Sequence, residues 1–458
     1  MGNNAQEFQN NFNQYLTEQV RKVFGAQIGA NFRAFQHSGD FNYFTSDGTN
    51  YNHLSLTCLD SLLKQDATGE FSLEEGGFSR LYYDVLKASR YTLSQASQQK
   101  VNASLMQSAA QATQVIKLYP KKLPPLTAET QNDKIVEIYE NCATAFGGDV
   151  TQDCSIIPNT YRDFKIALQA LNNMAEEAAQ LVMNVGNKNA VLANILKNMA
   201  NPELKSGGLP LDNGKFYVGY EKIMLPNELL GSLTTSENQL TISVSGETYN
   251  GREMHMHMDN QGDYIFPLAL LINVIGIHQS SFDMDKLKTQ QTNFSAQITY
   301  SGLTKVSIQP QPANITGTSG WYAETTILNE IKEKSNNPNV DGYRLQGTEF
   351  DVNTLFGHKL ACLKALLISQ MPSITITMSN INMEYAKSVF NMENDVFVTL
   401  FGFITIGHHH NYSETNVSYN EEQASVTITF QQPNVSGTPD PQTAHAFIMG
   451  GNPYYPGM

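Results

Sequence analysis

The chain has 458 residues and a net charge of −14, from 29 basic against 43 acidic side chains. Only 16% of it is charged, against about 25% for an ordinary soluble protein. That balance argues against nucleic-acid binding, which needs clustered Lys and Arg. No apolar run reaches the roughly 18 residues of a membrane span.

In chain order, Ala5–Phe24 predicts an amphipathic helix, because Phe8, Phe12, Leu16 and Val20 recur four apart. Residues 25–52 are rich in Gly, Asn and aromatics and predict loop with a short helix near Ala30–Phe35. Leu54–Leu63 predicts a second short helix. Phe78–Tyr119 holds no Gly or Pro and is closed by Pro120. Apolar or small residues recur three or four apart along it: Tyr82, Leu86, Leu93, Leu105, Ala112 and Ile116. An unbroken helix there would be roughly 60 Å long at about 1.5 Å per residue. Its predicted antiparallel partner is Thr160–Met199, with a stripe of Phe164, Leu168, Leu171, Ala178 and Val182 and a break at Gly186. The expected fold class is α+β, beginning with a helical domain over 1–204.

The Gly- and Pro-containing stretch from Lys205 to Gly214 is the expected boundary. Beyond it the apolar period becomes two. Leu240, Ile242 and Val244 alternate with Thr241, Ser243 and Ser245. The same pattern recurs over Phe294–Tyr300, Ile374–Ser379 and Val426–Phe430, and it predicts half-buried strands. Val396–Ile406, apolar on both faces, predicts a central strand. Helices are expected near Glu324–Lys334 and Gly357–Ile368. Residues 215–430 are therefore expected to form a β-rich, sandwich-like domain. The Pro-rich remainder, 431–458, is expected to be an arm that supplies no central strand.

The residues with chemical potential are few. Cys58, Cys142, Cys154 and Cys362 form no CxxC pair. Cys142 and Cys154 flank a short loop and can either pair or stay as buried thiols. His255 and His257 share one face of a predicted strand after the turn at Asn250-Gly251. Together with His408 and His410 of the His408-His409-His410 run they are the candidate metal ligands, with zinc the candidate ion. A two-residue turn would set Val244 opposite His257 and Ile242 opposite Asp259, adding no ligand. Phosphate-binding and nucleophile-elbow motifs are absent from the sequence, so no catalytic residue is named.

Long helices followed by weakly charged alternating strands are shared by pore-forming toxins and by self-assembling tubes and shells, an analogy of plan alone. The first expectation is a toxin-like protein that oligomerises and acts on membrane lipid or a surface receptor. The alternative is a structural subunit of a tube, shell or fibre, and a lesser one a metal-dependent hydrolase. Homo-oligomers are expected under both leading readings. MGNNAQEFQNN carries no apolar core of a signal peptide, so cytoplasmic synthesis with release by a leaderless route is expected.

Overall fold

The computed structural model describes residues 2–35, 40–65, 71–259, 262–276, 282–390, 396–406, 414–432 and 444–456. The fold is mixed α+β. Its largest element is an antiparallel sheet of seven strands. In spatial order these are Asp263–Pro267, Glu253–Met258, Gln239–Asn250, Asn293–Ser301, Ser373–Ser379, Ser425–Gln431 and Glu414–Asn420. The alternating positions do what period two requires. Ile242, Val244, Ala296, Ile298, Ile374, Ile376, Val426 and Ile428 are buried on one face.

The N-terminal helix, Gly2–Phe24, covers that face towards the Asp263–Pro267 end, and the helix Met383–Phe390 packs in the same core near Ser425–Gln431. Phe8, Phe12, Leu16 and Val20 are at most 4% exposed and share one apolar core with the sheet. The Phe8 ring meets Phe266 edge-on at 5.1 Å. The expected helical unit over 1–204 therefore does not pack as one body. An isolated amphipathic helix is marginal without a partner, and here the partner is a sheet more than 200 residues downstream.

The expected helix Phe78–Tyr119 is also interrupted. It consists of a helix Phe78–Lys87, a strand Ser89–Thr92 and helices Gln95–Gln107 and Ala109–Leu118. Serine side chains compete with the helical ladder at each break. Ser89 Oγ donates to Val85 O at 2.7 Å. Ser94 caps the helix that follows, its Oγ accepting from Ser97 N at 3.1 Å. Ser94 N in turn donates to Asp341 Oδ1 at 2.5 Å. The freed strand pairs with Gly342–Leu345. The partner helix breaks at Ala175 instead of Gly186, giving Arg162–Met174 and Glu176–Ala200. Gly186 stays helical, and a Cβ there would meet Ala143 Cβ at 3.8 Å, so its smallness serves close packing.

These helices, with Gln131–Phe146, enclose a separate core that holds Val101, Leu105, Ile135, Ile138, Leu168, Leu171 and Val182. Cys142 and Cys154 lie inside it as free thiols. Burial raises the Cys142 thiol to about 12 and the Cys154 thiol to about 11. The native protein should therefore leave both unalkylated by iodoacetamide at about pH 8, while the unfolded chain reacts fully. Rapid native labelling at either position, read by peptide mass, would contradict this packing.

A second sheet corrects two further expectations. Cys362–Ser369, expected as part of a helix, is a strand. Its run of buried residues on both faces carries no period of two, so it reads like a buried helix. Beside it lies His445–Tyr454, from the stretch expected to be an arm. This strand is central, with Cys362–Ser369 on one side and Arg33–Ala34 and Asp40–Asn42 on the other. Pro453 is tolerated because the strand Arg33–Ala34 pairs only as far as Gly451, leaving no ladder bond on that side for Pro453 to miss. Gly450 is required by close approach, since a Cβ would lie 2.3 Å from Arg33 O. Val396–Ile406 is a hairpin, not one strand. Val396–Leu400 and Ile404–Ile406 pair through a turn at Phe401 and Gly402, both with positive φ. They form a three-stranded sheet with Ile272–Gly276.

Candidate functional site

The solvent side of the seven-stranded sheet is built from the other half of the same alternation. One row across five strands reads Ser245, Ser295, Thr377, Thr427 and Ser418. The next reads Ser243, Gln297, Thr375, Thr429 and Asn416, and a third runs Thr241, Thr299, Ser373. All are exposed or half-buried, and none carries a charge. Neighbouring hydroxyls bond across the strands, Thr241 to Thr299 at 3.1 Å and Thr377 to Thr427 at 3.1 Å. The seven strands span roughly 29 Å at about 4.8 Å each.

Ionisable groups enter towards one end of this face, where the row beside Ser245 reads Glu247, Asn293 and Ser379, with Glu247 exposed on the third strand. His255 and His257 stand on Glu253–Met258, next to the edge strand. The turn falls at Gly251-Arg252, since Asn250 pairs with Glu253, and a register shift after Glu253 leaves the pairing one residue from the expected one. Ser245 instead of Val244 faces His257, and Glu247 faces His255. On the other side the edge strand supplies Asp263. His257 Nδ1 lies 2.8 Å from Asp263 Oδ1 and His255 Nε2 lies 3.7 Å from Asp263 Oδ2. The hydrogen bond from His257 holds the Asp263 carboxyl below its usual range. Sequence reasoning found the two imidazoles and missed their carboxylate, because pairing across the Asp263 turn has no local signature. No cluster of three or more His, Cys, Asp or Glu able to hold a metal occurs among the described residues. His408 and His410 lie outside the described residues.

A third arrangement had no motif at all. Asp60 closes the short helix His53–Leu59 and is 2% exposed. Its carboxylate accepts from Ser79 N at 2.9 Å, Ser79 Oγ at 2.5 Å and Tyr217 Oη at 2.8 Å, and also from Tyr220 Oη. Burial pushes its pKa up, against the pull of those donors. Nearby, Glu324 accepts from Tyr322 Oη at 2.8 Å and Tyr454 Oη at 2.5 Å, and Trp321 Nε1 donates to Gly219 O at 2.6 Å. Ser79 and Tyr217 form part of the wall of an open cavity of about 530 Å³ that His53, Arg80 and Phe216 also line. Asp60 itself lies behind that wall, so its chemistry is that of a clamp joining three chain segments. The one sequence clue was an acid at a helix C-terminus, where the dipole disfavours it.

No family model, curated protein or solved structure matches the chain.

Proposed function

We propose that this chain is a structural subunit that self-assembles, two copies meeting through the polar face of the seven-stranded sheet. The observation that carries the reading is the absence of charge from the Ser, Thr, Asn and Gln rows of that face. An antiparallel sheet commonly turns a polar face to water, and Lys and Glu ordinarily share in it. In a chain of net charge −14, uncharged rows across the middle of the sheet let a second copy approach there with less like-charge repulsion. Sheets stack about 10 Å apart. At that spacing threonine methyls supply apolar contact, and hydroxyls and amides pair with their counterparts.

The pore-forming alternative requires strands to leave their places. Ile374, Ile376, Val426 and Ile428 are at most 1% exposed, and burying each large aliphatic side chain contributes about 1.5–3 kcal/mol. Among the described residues no helix is long and apolar enough to cross a membrane. Light scattering across a concentration series, with and without lipid vesicles, separates the readings. A defined oligomer that forms without lipid is expected. A monomer at every concentration would overturn the proposal, and dye release by a larger species formed only on vesicles would favour the toxin reading.

A further inference from the structure

The strands Ser89–Thr92 and Gly342–Leu345 set Arg90 directly opposite Arg344. Like charges in that position destabilise a strand pair. Arg90 has a counter-ion, Glu140, at 3.5 Å. Arg344 is exposed and has no hydrogen-bond or ion-pair partner among the described residues. It lies between two cavities of about 490 and 220 Å³, lining both together with Thr92 and Leu93. The buried hydroxyl of Thr92 has no hydrogen-bond partner among the described residues.

A second cation stands in the larger cavity. Lys334 is 7% exposed, and its ammonium donates to Thr92 O at 2.6 Å and Leu93 O at 3.3 Å. Burial lowers its pKa; Asp341 opposes that and Arg344 adds to it. The nearby acids keep their charge but are held by hydrogen bonds or an ion pair, Asp351 within the cleft wall itself. Asp341 accepts from Ser94 N and from Ser97 Oγ at 3.0 Å. Asp351 accepts from Thr354 N at 2.8 Å and Thr354 Oγ1 at 2.7 Å. Glu330 pairs with Lys188 at 2.9 Å. Ile331, Leu345 and Phe350 supply apolar wall. An exposed guanidinium without a counter-ion among the described residues, the positive charge of Lys334 behind it and apolar sides in a cleft of ligand size describe a receptor for an anion with an organic body.

We propose that this cleft binds an organic oxyanion, a small-molecule carboxylate or phosphate ester, with Arg344 as its main charge partner. Bound there, the anion would also relieve the repulsion between Arg90 and Arg344. The test is calorimetric titration of the full chain with benzoate and with phenyl phosphate, repeated on Arg344→Gln and on Arg80→Gln. Arg80 is a control, since it pairs with Asp84 on another surface at 3.4 Å. Saturable binding of either probe, at least tenfold weaker in Arg344→Gln and unchanged in Arg80→Gln, supports the site; the probe that binds assigns the headgroup. Arg344→Gln should fold as well as the parent, because it removes an exposed, repelled charge, and its melting temperature checks this. Binding of both probes weaker than about 1 mM, or binding that Arg344→Gln leaves intact, would overturn the proposal.

Discussion

Replacing Asp60 with alanine is expected to destabilise the protein by about 3–5 kcal/mol, as for breaking a buried hydrogen-bond network. Four donors, from Ser79, Tyr217 and Tyr220, lose their acceptor at once, and each buried polar group left unpaired costs about 1–3 kcal/mol. Denaturant titration measures it, and a loss under about 1 kcal/mol would mean that the cluster holds nothing together. The pH dependence has a definite sign. The folded pKa of Asp60 is raised above the ordinary value of about 3.9, so the folded state binds the proton more tightly than the unfolded one. Stability from this group is fully present below about pH 3.9 and falls as pH rises through the raised value. Asp60→Asn carries no titrating proton. The stability difference between parent and Asp60→Asn should therefore shift against the parent as pH rises over that window, and a difference independent of pH would contradict the assignment.

Leu168→Asp is expected to cost several kcal/mol, because it puts an unpaired carboxylate among Leu105, Ile138 and Leu171 in the helical core. The damage should be regional. The helical core is distinct from the core beneath the large sheet. Amide exchange should accelerate first in Gln131–Phe146 and Arg162–Met174, while Ser373–Ser379 and Ser425–Gln431 keep their protection. Equal loss in all four segments would show that the cores unfold as one.

The strands of the large sheet were legible in sequence, because side chains that alternate between faces leave a period of two that survives any tertiary context. Ile374–Met378 and Val426–Phe430 put every apolar residue inward, as that period requires. The N-terminal helix was legible for the matching reason, through Phe8, Phe12, Leu16 and Val20, but its partner was not: a stripe records that it must be covered and not by what. Cys362–Ser369 was hidden because a strand buried on both faces loses its alternation. The breaks at Ser89 and Ser94 were hidden because each also depends on a distant partner that only the folded chain supplies, the strand Gly342–Leu345 beside Ser89 and Asp341 accepting from Ser94 N. At the candidate sites, the uncharged rows were visible as alternating Ser and Thr, and His255 and His257 as a pair on one face. Their alignment into one surface and the arrival of Asp263 required the register. Asp60 was invisible for a similar reason: its ligands come from residues 79, 217 and 220.

Gln297 lies on the middle strand of the seven and is exposed, so a charge placed there meets solvent in a lone subunit and another charge in a face-to-face pair. Gln297→Glu and Gln297→Lys should each fold normally and each weaken association, since like charges juxtaposed across an interface cost several kcal/mol. Sedimentation velocity of the two variants, alone and mixed in equal amounts, is the most direct measurement of the assembly claim. The expected result is two smaller species alone and recovery of the parent's size on mixing. Parent-sized oligomers from either variant alone would show that copies do not meet through this face.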